Sequence, residues 1–414
     1  MNAQPDARPT LDTALWNDPD LTAAPAAFRA ALRVAATNWE FGSVTFILPT
    51  GKPLTVTGRQ AGPEALIKIH DYNFIRRAFS SGDIGFAEGF VAGEWETPDL
   101  SAVLSAFSLN FDKLSALVDG NPFMRIFNAL YHFFHRNSRA GSKKNIHAHY
   151  DLGNAFYSRW LDPTMTYSSA LYERPNQPLP EAQKAKYAAL ARTIDLAPGK
   201  HVLEIGCGWG GFAEFAAKEV GAQVTGITIS QAQYEFAKKR LFDQGLAEKA
   251  DIRLVDYRDV EGRFDAVASI EMFEAVGEEY WPAYFSKIRE VLHPGGRAGL
   301  QIITIRDELF SHYRERTDFI QRYIFPGGML PSEARLKEET ERAGLEWSDL
   351  KRFGQNYADT LAEWGRRFEA AWSEIRKDGF DERFRRLWRF YLSYCEAGFR
   401  TERTNVIQLG LSRG

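Results

Sequence analysis

Residues 201–213, HVLEIGCGWGGFA, join a run of strand-forming residues to a cluster of glycines. Gly206, Gly208 and Gly211 fit G-x-G-x-x-G, a turn that lets the backbone approach a ligand closely and packs the next helix tightly. A dinucleotide site of this kind needs an Asp or Glu roughly 20 residues further on, to bind ribose hydroxyls. Here that stretch is Gly226-Ile-Thr-Ile-Ser230, without a carboxylate, so a nicotinamide dinucleotide is disfavoured. An acid instead precedes the first glycine, and Glu204, Gly206, Gly208 and Gly210 form E-x-G-x-G-x-G. The Glu204 carboxylate can meet a ligand in the turn or orient the turn by accepting backbone hydrogen bonds. Metal chemistry is not expected. Cys207 and Cys395 are the only cysteines and lack metal-ligand spacing, and His147 and His149 have no third ligand nearby in sequence.

The elements that must hold this turn follow from hydrophobic spacing. The helix EAQKAKYAALARTIDL ends at Pro198-Gly199 and leads into the strand HVLEIG. Beyond it GFAEFAAKEV and QAQYEFAKKRLFDQG read as helices, QVTGITIS, DIRLVDY, FDAVASIEMF and RAGLQIITI as strands, and a helix is expected across 280–292. Short β-branched runs separated by helices imply an open, mostly parallel sheet with helices on both faces. NVIQLGLS reads as a last strand, preceded by the aromatic, Arg-rich helices AEWGRRFEAAW and ERFRRLWRFYLSYC.

Upstream, VTFILP and PLTVTG read as a hairpin, and ALIKIHDYNFIRRAFSSG and DLSAVLSAFSLNFDKLSALV show helical spacing. Residues 1–118 should therefore form a small α+β domain. A connector at 119–148 is amphipathic and aromatic in its first half, then basic, with Arg136, Arg139, Lys143 and Lys144. It suits either an anionic membrane surface or a packed helix followed by a solvated linker. A net charge of −3 over 414 residues argues against a general nucleic-acid binder. The first residues lack the basic start and apolar stretch of a signal peptide, and no apolar run reaches membrane-spanning length. A cytoplasmic, soluble protein is expected. Aromatic residues make up 14%, with 30 Phe and 10 Trp, an excess that asks for a use beyond packing.

The E-x-G-x-G-x-G turn at the head of a β-α series resembles motif I of S-adenosylmethionine-dependent methyltransferases. A narrower likeness covers Ile146 to the C-terminus. HYDLGNAFYSRWLDPTMTYSSALY (149–172), VLEIGCGWGGFA, GITISQAQ, DYRD (256–259), MFEAVG (272–277), FPGGMLPS (325–332), FGQNYADTL (353–361) and CEAGFR (395–400) occur in order. Together they resemble the family of cyclopropane-fatty-acyl-phospholipid synthases and mycolic-acid methyltransferases. GDIGFAEGFVAGEW resembles, more loosely, the small N-terminal domain of its bacterial phospholipid enzymes. The resemblance implies a Rossmann-like class I methyltransferase domain with a mostly parallel seven-stranded sheet over 149–414, with a helical lid insertion at about 306–395. It further implies S-adenosylmethionine on Tyr167 and Ser168, on Glu204 and the turn Gly206, Gly208 and Gly210, on Thr228, Ser230 and Gln233, and on Asp256 and Tyr257.

The implied reaction is transfer of a methyl or methylene carbon to the cis double bond of unsaturated acyl chains in membrane phospholipids. Such an enzyme would lie peripherally on the inner face of the membrane, and the resemblance suggests a homodimer. An alkene is a poor nucleophile, so positioning and water exclusion must do most of the work, and aromatic faces can stabilise a carbocation. In the family a bound bicarbonate ion removes the proton that closes the ring. A Cys, a Glu, a His-x-Ile pair and a late Tyr hold it. Glu274, Ile303 and Tyr357 match three of these, whereas Ser169 stands for the Cys and Gln301 for the His. Gln keeps an N–H donor but cannot carry a proton as His can. The product is then either a cyclopropane or a methyl- or methylene-branched chain. Cys395 corresponds to a cysteine often assigned to the family's active site, although alkene methylation needs no thiol and a packing role suits it. A soluble small-molecule N- or O-methyltransferase and a non-catalytic lipid-binding protein are the readings of other classes.

Overall fold

The structure of the chain is a computed structural model that describes residues 16–114 and 152–414. The connector expected at 119–148, with Arg136, Arg139, Lys143 and Lys144, and also His147 and His149, lie outside the described residues. Two units emerge, one formed by 16–114 with Gly379–Thr401, the other by 152–378 with Glu402–Gly414.

The N-terminal unit is built on a four-stranded sheet of order β2-β1-β3-β4, with β1 Phe41–Ile47, β2 Pro53–Thr57, β3 Gln60–Ile69 and β4 Trp95–Glu96. The expected hairpin is β1-β2, closed where the Leu48 N–H donates to the Lys52 carbonyl at 2.9 Å. The helix expected over ALIKIHDYNFIRRAFSSG is corrected: ALIKI ends β3 and the helix starts at Asn73. Ala65, Ile67 and Ile69 are buried on one face, which is the alternation of a strand. The helix Glu382–Arg400 packs on Asn73–Val91 and Leu100–Leu114. Its Phe390 ring lies 5.9 Å from Phe90, and Arg386 donates to the Phe90 carbonyl at 3.1 Å. This helix was expected inside the lid insertion; it belongs instead to the N-terminal unit.

The second unit carries a seven-stranded sheet of order β10-β11-β9-β8-β5-β6-β7. Strands β5 His201–Ile205, β6 Gln223–Thr228, β7 Ala250–Leu254, β8 Phe264–Ile270 and β9 Leu292–Ile305 run parallel, and β11 Thr404–Arg413 lies antiparallel between β9 and β10 Leu345–Arg352. β10, LEWSDLKR, escapes sequence reading because only Leu345 is buried; it is an edge strand held by its backbone ladder to β11. β5 sits between β6 and β8, so successive crossovers leave it in opposite directions. That switch point opens a crevice at the carboxyl end of β5. Among the described residues, no helix is long and apolar enough to cross a membrane.

Candidate active site

The turn after β5 is shaped by three glycines. Gly206, Gly208 and Gly210 have φ of +81°, +52° and +81°, left-handed values that side chains disfavour. A Cβ on Gly206 would meet Met272 at 2.6 Å, whereas beside Gly208 nothing lies within 4 Å. The backbone is thus packed on one side and open at Gly208. Glu204 ends up buried, with Oε2 lacking any hydrogen-bond partner. Burial pushes its carboxyl well above the usual range, against the pull of Lys186.

The other residues expected at the cofactor gather at the carboxyl ends of the neighbouring strands. Thr228 ends β6 and donates to the Gln233 side chain at 2.8 Å, and the Ser230 N–H bonds back to the Thr228 hydroxyl at 3.1 Å. Ser230 also caps the helix Gln231–Asp243 through the Gln233 N–H. Asp256 follows β7 and is paired bidentately with Arg258 at 2.8 and 2.6 Å, while Tyr257 packs edge-on against Tyr284. Tyr167 and Ser168 belong to the segment after the helix Gly153–Trp160. The Ser168 carbonyl accepts from Gln183 and its hydroxyl from Lys186, at 2.9 and 2.6 Å. An orphaned buried carboxylate oxygen, an open glycine backbone and clustered hydroxyl and amide groups fit S-adenosylmethionine.

At the end of β8 the chain does something sequence reading missed. Glu271 follows the last strand residue with a φ of +50°, strain that persists only where the surroundings hold it. Its half-buried carboxylate is gripped by three donors. Oε1 accepts from the Ser169 N–H and the Gln301 side-chain amide, each at 2.8 Å, and Oε2 from the Tyr357 hydroxyl at 2.5 Å. Gln301 is itself oriented, because Gln408 donates to its carbonyl oxygen at 3.1 Å. Burial raises the Glu271 carboxyl, opposed by Tyr357, Lys186, Ser169 and Gln301.

Of the five residues expected to hold bicarbonate, Ser169, Gln301 and Tyr357 therefore converge on Glu271. The other two bond each other: the Ile303 N–H donates to Glu274 Oε1 at 2.6 Å. Glu274 Oε2 is buried without a partner, and burial, reinforced by Glu271, pushes this carboxyl up to about 8. The expectation of a bicarbonate ion finds no support, since the chain's own Glu271 carboxylate takes the donors of Ser169, Gln301 and Tyr357. Cys395 lies on Glu382–Arg400 in the N-terminal unit. Only an unexpected acid beside MFEAVG could have signalled Glu271 in the sequence.

Aromatic rings join the turn to this centre. Trp209 lies 5.1 Å from Tyr157, Tyr157 lies 5.3 Å from Tyr167, Tyr167 lies 5.3 Å from Trp364, and Trp364 lies 6.1 Å from Tyr357. Their faces offer electron density to a developing cation.

The strand order with β11 reversed, and a glycine turn with no ribose-binding acid behind it, are those of an S-adenosylmethionine-dependent methyltransferase, and the chain is such an enzyme. Residues 137–409 match the family described as mycolic acid cyclopropane synthetase, and the chain belongs to that family. It is 38% identical over 348 residues to the tuberculostearic acid methyltransferase UfaA1 of Mycobacterium tuberculosis, covering 82% of this chain and 81% of the relative. It is 35% identical to the cyclopropane-fatty-acyl-phospholipid synthase of Escherichia coli, covering 84% and 88%. Among solved structures, the mycolic acid cyclopropane synthase CmaA1 complexed with SAH and CTAB matches with a TM-score of 0.62 at 29% identity. That match covers 66% of this chain and 98% of CmaA1.

Proposed function

We propose that this methyltransferase alkylates the cis double bond of unsaturated acyl chains in phospholipids, acting peripherally at a membrane surface, with Glu271 as the built-in base. The observation that carries this reading is the Glu271 carboxylate resting on the Ser169 N–H, Gln301 and Tyr357. S-Adenosylmethionine supplies the electrophilic methyl group. One alkene carbon forms the new C–C bond, and its neighbour becomes a carbocation facing the aromatic lining. A carboxylate offers about four lone-pair sites; Glu271 spends three of them on these donors, and the remaining site on Oε2 takes the proton. If the hydrogen on the methylated carbon first shifts as hydride to the cationic carbon, loss of a methyl proton gives a methylene branch on the chain. A saturated branch would need a hydride donor as well, so the direct product is the alkene.

The identity to the tuberculostearic acid methyltransferase supports the branched product. The identity to the Escherichia coli synthase supports a second reading, in which the same base removes the same methyl proton with ring closure. The test uses vesicles of monounsaturated phosphatidylglycerol and S-adenosylmethionine with a fully deuterated methyl, read by mass spectrometry and proton NMR of the recovered acyl chains. A labelled exomethylene carrying two deuterons is expected. A labelled cyclopropane would select the second reading, and label absent from lipid would overturn both in favour of a soluble substrate.

A further inference from the structure

Lys186, on the helix Leu179–Thr193, is fully buried. Its ammonium donates to Ser168 Oγ at 2.6 Å, the one hydrogen-bond partner of Nζ among the described residues, and lies 4.5 Å from the Tyr187 ring centroid. A buried ammonium with one neutral partner is costly unless nearby charges compensate it. The charges around it are those of the reaction centre and the turn, namely Glu271 foremost, then Asp162 and Glu204. Burial pulls Lys186 down to about 7 and these three carboxylates pull it back. It is therefore charged below neutrality.

Two covalent and hydrogen-bonded paths lead from Lys186 to Glu271. Ser168 precedes Ser169, whose N–H holds Glu271 Oε1. Gln408 donates at 3.1 Å both to the Lys186 carbonyl and to Gln301, which holds the same oxygen. An ammonium can only donate, so Ser168 Oγ must accept from it, and the hydroxyl proton of Ser168 turns elsewhere.

We propose that Lys186 is a positioning residue for the reaction, the counter-charge that favours the ionised form of Glu271 while its helix and Ser168 align the donors on that carboxylate. This rests on the reading of Glu271 as the base. The titratable groups facing Glu271 are Lys186 from Leu179–Thr193, Tyr357 from Gly354–Ala370 and Glu274 from the turn beyond β8; those facing Lys186 on its other sides are Asp162, Glu204 and Tyr187. Among them Lys186 is the sole cation. Removing it must raise the Glu271 pKa, and since only the ionised form accepts a proton, the acid limb of activity must move to higher pH.

The test is the pH profile of kcat for Lys186→Met on monounsaturated phosphatidylglycerol vesicles, with binding of S-adenosylmethionine measured by calorimetry on the same preparations. The acid limb should rise by about one pH unit, with the rate recovering toward wild type at alkaline pH. A lower rate at every pH with an unmoved limb would overturn the proposal. Should the Met variant not fold, Lys186→Arg decides, because a permanent cation must leave the limb at or below its wild-type position and an upward move refutes the counter-charge. Glu271→Gln run alongside separates the two ideas. If it still turns over, the base reading fails; if it is inactive while the Lys186 limb stays put, only the role of Lys186 fails.

Discussion

Glu271 and Glu274 are three residues apart, both half-buried, and the fold treats them oppositely. Glu271 receives a backbone N–H, an amide and a phenol, with a buried ammonium nearby. Glu274 Oε1 receives the Ile303 N–H, and Oε2 is left unpartnered. Hydrogen bonds to the charged form and an adjacent cation favour ionisation, whereas burial beside another carboxylate opposes it. The donors and the ammonium thus pull Glu271 toward the ionised form while Glu274 is left toward the protonated one, and environment, not residue type, divides base from acid.

The sharpest way to break this division is Glu271→Gln. It keeps the volume but cannot accept a proton, and turnover should fall by about a thousandfold, in the range of a lost general base, with S-adenosylmethionine binding measured by calorimetry within a few-fold of wild type. Near-normal turnover would remove Glu271 from the reaction. Next in size is Tyr357→Phe, which takes one donor from the ionised form. A drop of roughly 10- to 100-fold is expected in kcat below neutrality, with the acid limb displaced upward and partial recovery at higher pH. A uniform drop with no displacement would mean that Tyr357 only packs.

The cofactor side was far more legible in the sequence than the reaction centre, for a physical reason. A glycine turn leaves a mark because three left-handed positions in five residues demand glycine, and strand-helix alternation announces the sheet around it. Glu271 leaves none: its meaning arises when β8, β9, Ser169 and the helix Gly354–Ala370 bring together residues up to 188 positions apart, Ser169 to Tyr357. The resemblance placed Ser169, Gln301 and Tyr357 around an anion, and the structure supplies one from the chain itself. The misread β3 segment and the unseen β10 fail differently. A short apolar run before a helix hides its alternation, and a polar edge strand carries no pattern to find.

Glu274→Gln probes the protonated member of the pair. Glutamine keeps the acceptor for Ile303 and an N–H where the neutral carboxyl has its O–H, so kcat near pH 7 should stay within about tenfold of wild type. In the wild type the carboxyl is neutral below about 8 and ionises above it. Activity should therefore decline as pH rises through that value, and the decline should vanish in the variant. A loss matching that of Glu271→Gln would show that Glu274 must ionise.

The smallest effect belongs to Gln408, which touches neither carboxylate yet decides which end of Gln301 faces Glu271. With Gln408 donating to the Gln301 oxygen, the amide N–H is directed to Oε1; without it the amide can turn and present an oxygen to a carboxylate. Gln408→Leu also removes the donor to the buried Gln301 oxygen, which costs about 1–3 kcal/mol for a group left unpaired. Thermal unfolding should show that loss as a lowered Tm, and kcat should fall roughly threefold to tenfold, with an acid limb slightly raised. An unchanged profile in a destabilised protein would reduce Gln408 to packing and leave the orientation of Gln301 to Ser169 alone, whose carbonyl accepts from the same amide at 3.3 Å.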